Sequence, residues 1–165
     1  MELIQEIIID KPIEACWDVL GNQFTEIYKW ASPVHHANGD GKTGVNGASC
    51  TIRGCEVQGM GEITEELTEF DPKNYFLAYE IITGLPNMMK AGKNSWKLTP
   101  VNSSQTKLNM KGAIETKGLI AKLMRPMIKM QFDNMTKNIV EEFKYYVETG
   151  QPHPRKVKAT KKMAA

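Results

Sequence analysis

The sequence predicts an α+β fold in which one long helix near the C-terminus packs on one face of a curved antiparallel sheet. Three observations predict this fold: an opening strand followed by two short helical patterns, a run of strand segments separated by turn residues, and one long apolar pattern at helical spacing. The chain has 165 residues, of which 41% are hydrophobic and 24% charged, which is typical of one globular domain. We therefore expect a single domain over residues 1–150, followed by a flexible basic tail over residues 151–165.

The strand segments recur at intervals that favour sequential hairpins. The isoleucine-rich segment 2–9 opens the sheet. Residues 31–47 are rich in glycine and are predicted to form a loop. The later strands are predicted at residues 49–57, 62–70, 75–83, 93–100 and 105–116, because turn residues such as Asp71-Pro72-Lys73-Asn74 separate them.

The helical patterns stand on both sides of this run of strands. Ile13, Trp17 and Leu20 recur at helical spacing, and Phe24 and Ile27 belong to a second short helix. Residues 119–147 form one long helical pattern that contains Pro126. A proline inside a helix removes a backbone hydrogen bond and clashes with the preceding turn, so we expect an interruption there.

The charge distribution argues against nucleic acid as a partner. The net charge is +2, but residues 151–165 carry five basic side chains and no acidic one. The rest of the chain has 16 basic and 19 acidic residues and is near −3. A nucleic-acid-binding domain would instead be basic along one face. We expect no nucleic-acid partner.

The cysteines and the apolar runs predict a reduced cytoplasmic protein. Cys16, Cys50 and Cys55 cannot all pair, and Cys50 and Cys55 point to opposite faces of one predicted strand. The longest apolar runs are only a few residues, so we expect no integral membrane segment. The N-terminus lacks the basic start and cleavage site of a signal peptide.

One ion pair is predicted inside the sheet. Alternation places Glu65 between Ile63 and Leu67 on the inner face, and a turn centred on Gly59 places Arg53 opposite Glu65. A buried carboxylate needs a partner, and Arg53 is the natural one. Arg53, Glu65 and Tyr79 are then polar anchors in a cavity, or the pair is structural and fixes the strand register, or both side chains reach solvent at a sheet edge.

The ten methionines are the second signal. Methionine is flexible and polarisable, so it suits adaptable apolar binding surfaces, although a methionine stripe on a helix is also common in cores. The candidate ligand-binding residues from both signals and from the aromatic positions are Trp30, Arg53, Glu65, Tyr79, Met88, Trp96, Met110, Met127 and Met130.

One set of residues, taken in order and spacing, is typical of a known family: Asp10-Lys11-Pro12-Ile13-Glu14, Trp17, Trp30, Pro33, Gly47, Arg53, Glu65, Leu67, Asp71, Tyr79-Glu80-Ile81, Leu85-Pro86 and Trp96 to Pro100. Through them the sequence resembles, over residues 2–150, the START-like, or SRPBCC, helix-grip superfamily, and within it the polyketide cyclase/dehydrase and lipid-transport branch. The resemblance implies a single ligand-binding domain with a seven-stranded antiparallel sheet wrapped around the C-terminal helix. It also implies a deep cavity for lipids, sterols, polyketides, isoprenoids or hormones, with Arg53, Glu65 and Tyr79 at family-typical pocket positions.

Three functions remain open from the sequence. The first is binding or transport of a small hydrophobic ligand, such as a lipid, isoprenoid or polyketide-like molecule, by a monomer or weak homodimer. The second is a cyclase/dehydrase-type enzyme, in which Glu65, Tyr79 or His35 serves as acid or base. The third is a module that binds a partner protein through an apolar groove around Met88 and Met89. We expect no metal and no cofactor, because the glycine string 39–44 lacks the preceding strand of a dinucleotide site and His35 and His36 have no third ligand.

Overall fold

The computed structural model describes residues 1–163 and has seven antiparallel strands and four α-helices there. The strands are β1 (Glu2–Ile9), β2 (Val34–Gly39), β3 (Ile52–Val57), β4 (Gly61–Asp71), β5 (Phe76–Thr83), β6 (Met89–Asn102) and β7 (Gln105–Thr116). The helices are α1 (Ile13–Trp17), α2 (Leu119–Leu123), α3 (Arg125–Thr149) and α4 (Pro154–Met163). A π-helical turn, Asp18–Asn22, and a 3₁₀ segment, Phe24–Lys29, follow α1.

The sheet order is β1-β7-β6-β5-β4-β3-β2, so β2 to β7 pair as sequential hairpins and β1 closes beside β7. Register shifts interrupt the β4–β5 and β6–β7 ladders, and such bulges bend a strand and increase its twist. The long helix α3 packs on the inner face, where Phe143 is fully buried against Trp30 and Trp96. The α+β helix-grip fold with a seven-stranded sheet is confirmed.

The proline interruption is also confirmed. Met124 separates α2 from α3, and Pro126 lies in the first turn of α3, where a missing backbone N–H leaves no hydrogen bond unmade. Gly118, with φ of +88°, turns the chain from β7 into α2. No helix in the described part of the chain combines the length and the apolarity needed to cross a membrane.

The prediction of a loop over residues 31–47 is wrong, because this segment contains the edge strand β2. Its residues, including His35, His36 and Asn38, have weak strand propensity, and the segment is held by pairing with β3. Lys156 also donates a hydrogen bond to the carbonyl of Val34 over 2.7 Å. These partners lie far away in the sequence, so the local pattern does not reveal the strand.

The C-terminal segment differs from the flexible tail that the sequence predicts, since Pro154–Met163 is helical and docked on α3. Arg155 contacts the carboxylates of Glu141 and Glu142, each over 2.8 Å. Glu142 is fully buried, and its other oxygen accepts a hydrogen bond from the backbone N–H of Ser32 over 2.7 Å. The basic residues of this segment therefore compensate a buried acidic residue of α3.

Replacing Arg155 tests this docking. Arg155→Ala leaves the buried Glu142 carboxylate without a cation, and we expect the free energy of unfolding to fall by about 2 kcal/mol in urea titrations. The matched control is Lys158→Ala, because Lys158 is exposed on the same helix. Equal stability of the two variants would contradict the role assigned to Arg155.

Candidate functional site

A cavity lies between the inner face of the sheet and the first part of α3. The centre of a water molecule can move through about 90 Å³ of it, and the whole space between the lining atoms, mouth included, is about 710 Å³. Most of the wall is apolar. The sheet contributes Arg53, Glu65, Tyr79, Asn94 and Gly112 among others, and α3 contributes Phe132, Met135, Thr136 and Ile139.

Arg53 and Glu65 form the predicted ion pair. They are directly paired residues of β3 and β4, and both are buried. Arg53 Nε and Nη2 lie 2.8 and 2.6 Å from Glu65 Oε2, and Nη1 donates to the carbonyl of Phe24 over 2.6 Å. Burial alone would lower the pKa of Arg53, but attraction to Glu65 outweighs it and raises that pKa above its ordinary value.

The rings of Phe24 and Tyr79 cover this guanidinium, with centroids 3.7 and 5.1 Å from Arg53 Cζ. All three guanidinium nitrogens already have partners within the protein. The geometry therefore favours the structural interpretation of Arg53, and it excludes the sheet-edge alternative because the side chain is only 2% exposed.

The second carboxylate oxygen of Glu65 is differently placed. Oε2 receives both Arg53 contacts and a weak hydrogen bond from Cys55 Sγ over 3.5 Å. Oε1 has no hydrogen-bond partner among residues 1–163, and Glu65 lines the cavity. Glu65 thus offers one hydrogen-bond acceptor to a bound molecule while its charge is compensated by Arg53.

Tyr79 and Cys55 are the hydrogen-bond donors beside Glu65. The hydroxyl of Tyr79 accepts a hydrogen bond from Trp96 Nε1 over 3.4 Å, which leaves its own proton available. Burial, reinforced by the Glu65 charge, raises the pKa of Tyr79 to about 12. Burial likewise raises the pKa of Cys55 to about 12. Both groups therefore stay protonated at neutral pH, and Cys55 is a poor nucleophile.

Asn94 is a lining residue that the sequence analysis missed. It pairs with Tyr79 on β5 and with Gly112 on β7. Its Oδ1 is the one buried side-chain nitrogen or oxygen in the described residues without a hydrogen-bond partner. A Cβ at Gly112 would lie only 3.1 Å from this oxygen, so the glycine keeps the cavity floor open. Alternation with Trp96 on the inner face was the available signal.

The other predicted ligand residues divide into three groups. Trp30, Trp96 and Met110 are buried in the core. Met88 lies at an outer opening of about 330 Å³, which shares Met60, Met89, Phe132 and Met135 with the cavity. Met127 and Met130 are 43% and 58% exposed and do not line the cavity, which Met135 and Ile139 of the same helix line instead.

His35 does not join the site. It lies on β2, with Nδ1 at 3.7 Å from Glu56 Oε1, and is absent from the cavity lining. Within residues 1–163, no three His, Cys, Asp or Glu side chains lie close enough together to share a metal ion. The polar groups that the structure does bring together are Arg53, Glu65, Cys55, Tyr79 and Asn94.

The family model for polyketide cyclase/dehydrase and lipid transport matches residues 2–144, and the chain belongs to this family. No curated protein matches the sequence significantly. A START superfamily protein from Mycobacterium smegmatis has a similar structure, with a TM-score of 0.75 at 12% identity, over 91% of this chain and 99% of that one.

Two enzymes with solved structures share the fold. The Zhui aromatase/cyclase of a Streptomyces species has a TM-score of 0.70 at 13% identity, with 93% of this chain and 99% of that one covered. A norcoclaurine synthase point mutant from Thalictrum flavum, bound to a transition-state analogue, has a TM-score of 0.66 at 12% identity, with 89% and 93% covered. At these low identities, the TM-scores show a common fold.

Breaking the buried ion pair should destabilise the protein. Arg53→Met leaves the Glu65 carboxylate buried without its cation, and we expect a loss of about 3–5 kcal/mol in the free energy of unfolding. The double variant Arg53→Met/Glu65→Leu should recover most of that loss, because no charge stays buried. Together with Glu65→Leu, these variants form a double-mutant cycle that measures the coupling energy of the pair. A matched cycle on the exposed pair Lys90–Glu115 should give a coupling energy below about 1 kcal/mol. An equally small coupling at Arg53–Glu65 would refute the structural role.

Tyr79 should make stability fall at alkaline pH. Its pKa rises from 10.0 to about 12 on folding, so its contribution is complete below pH 10 and is lost as the pH rises through 12. Between pH 10 and about pH 12 only the unfolded state has lost the proton, so the free energy of unfolding falls by about 3 kcal/mol across this range. Urea titrations from neutral pH to about pH 12 should show a shallower decline for Tyr79→Phe than for wild type, whereas Tyr145→Phe, on the partly exposed Tyr145, should follow wild type. Identical slopes for all three proteins would contradict the assignment.

Proposed function

We propose that this protein binds a small, mostly apolar molecule whose polar end carries hydrogen-bond donors. The observation that carries the proposal is an apolar cavity whose wall holds two acceptors without protein partners, Glu65 Oε1 and Asn94 Oδ1. Apolar walls favour binding by burying area at about 25 cal/mol per Å² before association costs are subtracted. Unpaired buried acceptors favour a ligand that satisfies them.

The ion pair argues against a free carboxylate as the polar end. Every nitrogen of Arg53 already has a partner within the protein, and the Glu65 carboxylate would repel an anion. A hydroxyl, phenol or amine instead donates to Glu65 Oε1 and Asn94 Oδ1, and a ketone accepts from Tyr79. Hydroxylated lipids, isoprenoids and reduced ketides combine such groups with an apolar body.

The volume argues for a ligand that also fills the mouth. Sites for drug-sized ligands measure about 300–1,000 Å³. The inner cavity, at about 90 Å³, is smaller than that range, whereas the adjoining opening measures about 330 Å³. Met60, Met88, Met89 and Met135 surround that opening, and methionine side chains repack easily around different shapes.

The test is mass spectrometry on an organic extract of natively purified protein, compared with a heat-denatured blank. We expect a stoichiometric small molecule from wild type and from Met130→Trp, which changes an exposed residue of α3. Met135→Trp should lose most of it, because the indole occupies the cavity and its mouth. An empty extract from folded wild type, or equal retention by Met135→Trp, would contradict the proposal.

A second pair of variants tests the polar end of the ligand. Asn94→Leu keeps the shape but removes the acceptor, so the extracted compound should rebind roughly five- to tenfold more weakly. Asn109→Leu is the matched control, since Asn109 is half-buried on the outer face of β7, away from the cavity. Unchanged affinity in Asn94→Leu would contradict the requirement for a hydrogen-bond donor on the ligand. It would leave the proposal of binding in the cavity intact.

A cyclase/dehydrase activity is the second candidate. The observation in its favour is that one apolar cavity holds both a free carboxylate oxygen of Glu65 and the protonated phenol of Tyr79. In this activity Glu65 would accept a proton and Tyr79 would donate one. Turnover of a ketide panel that falls in Tyr79→Phe without loss of binding would establish it. The partner-protein hypothesis called for a surface groove without an internal cavity, and the cavity weakens it.

A further inference from the structure

Among residues 1–163, the most exposed large apolar side chains lie together on α2, directly after β7. Leu119, Ile120 and Leu123 of α2 are 83%, 70% and 84% exposed, and Met127 and Met130 continue the pattern at spacings of three or four residues on α3. We call these five residues the α2 surface. Single exposed apolar residues are ordinary, but a contiguous group marks a surface that contacts something.

The chain segment that carries the α2 surface is basic, and the acidic residues that flank it, Glu115 and Asp133, pair with Lys90 and Lys129. Residues 116–132 contain four basic and no acidic residues. Lys129 pairs with Asp133, whereas Lys117, Lys122 and Arg125 form no ion pair with any residue in 1–163. An exposed apolar stripe beside unpaired cations is the combination that inserts into the headgroup region of an anionic bilayer.

A second copy of the chain fits this surface poorly. In a two-fold dimer the same patch faces itself, so Lys117, Lys122 and Arg125 of one copy would face the equally basic patch of the other copy. Like charges brought together in this way are repulsive, whereas anionic headgroups attract all three. The charge pattern therefore selects a lipid surface.

The position of the surface adds to the argument. Ile128, Gln131 and Phe132, on the adjoining face of the same turns of α3, line the cavity mouth, and the exposed Met88 lies across it. We propose that α2 and the first turns of α3 dock on an anionic lipid bilayer, with the α2 surface at the acyl boundary and the cavity mouth beside the lipid. This surface does not depend on the identity of the cavity ligand.

Vesicle co-sedimentation with the full chain tests the proposal. We expect the protein to pellet with vesicles of equimolar phosphatidylcholine and phosphatidylglycerol, more weakly at high salt, and little with phosphatidylcholine alone. Leu119→Ser/Leu123→Ser should weaken binding at least roughly tenfold, because the apolar contacts are removed. Lys122→Gln/Arg125→Gln should weaken binding and flatten the salt dependence.

Two control variants match these changes. Val101→Ser removes an exposed apolar residue on β6, and Lys161→Gln/Lys162→Gln removes exposed charge from α4; neither should change binding. An unchanged thermal midpoint shows that each variant is folded. The proposal is overturned by absence of binding to anionic vesicles, by binding that the leucine variant does not reduce, or by loss of binding in the α4 variant instead. Light scattering that shows a dimer, broken by the leucine variant and without vesicle binding, would assign the surface to self-association.

Discussion

The buried Arg53–Glu65 pair is the interaction on which the arrangement of the site depends. A one-residue slip between β3 and β4 would send one of these charges to the opposite face and leave the other buried without a partner, so the pair strongly selects the observed register. That register directs Cys55, Ile63 and Leu67 inward as well. Through its third nitrogen, Arg53 also donates a hydrogen bond to the carbonyl of Phe24, which ties the 3₁₀ segment to the sheet.

The same pair determines which chemistry the cavity offers. Every guanidinium nitrogen is engaged within the protein, so at most the second N–H of Nη1 and of Nη2 remains for a ligand. Glu65 retains one oxygen, and Asn94 adds a second acceptor. The polar wall combines these acceptors with the hydroxyl of Tyr79. Residue identity alone does not predict this combination, since it depends on which polar atoms stay unpaired after folding.

The sequence predicted what local patterns determine. Turn residues located the hairpins, alternation and turn position placed Arg53 opposite Glu65, and Pro126 marked the break before α3. Asn94 was missed although alternation with Trp96 indicates its face, whereas the other wrong predictions depend on distant partners. Strand β2 has weak propensity and exists because β3 pairs with it, and α4 is docked because Glu142, buried on another helix, needs Arg155. Met127 and Met130 have the spacing of a ligand stripe, but helix rotation decides which stripe faces the cavity, and packing of Phe143 sets that rotation.

The helix α3 itself joins two different environments. Its last turns are fixed by Phe143 in the core and by Glu142, which links Ser32 and Arg155. Its first turns bury only Ile128 closely and otherwise cover the cavity with Phe132 and Met135, while α2 is attached through little more than Ala121. Segments with few buried apolar contacts open at low free-energy cost. The break at Met124 lies in this weakly packed half, so the mouth can widen there without disturbing the ion pair or the core. A bilayer in contact with α2 would act on the part of the fold that is easiest to move.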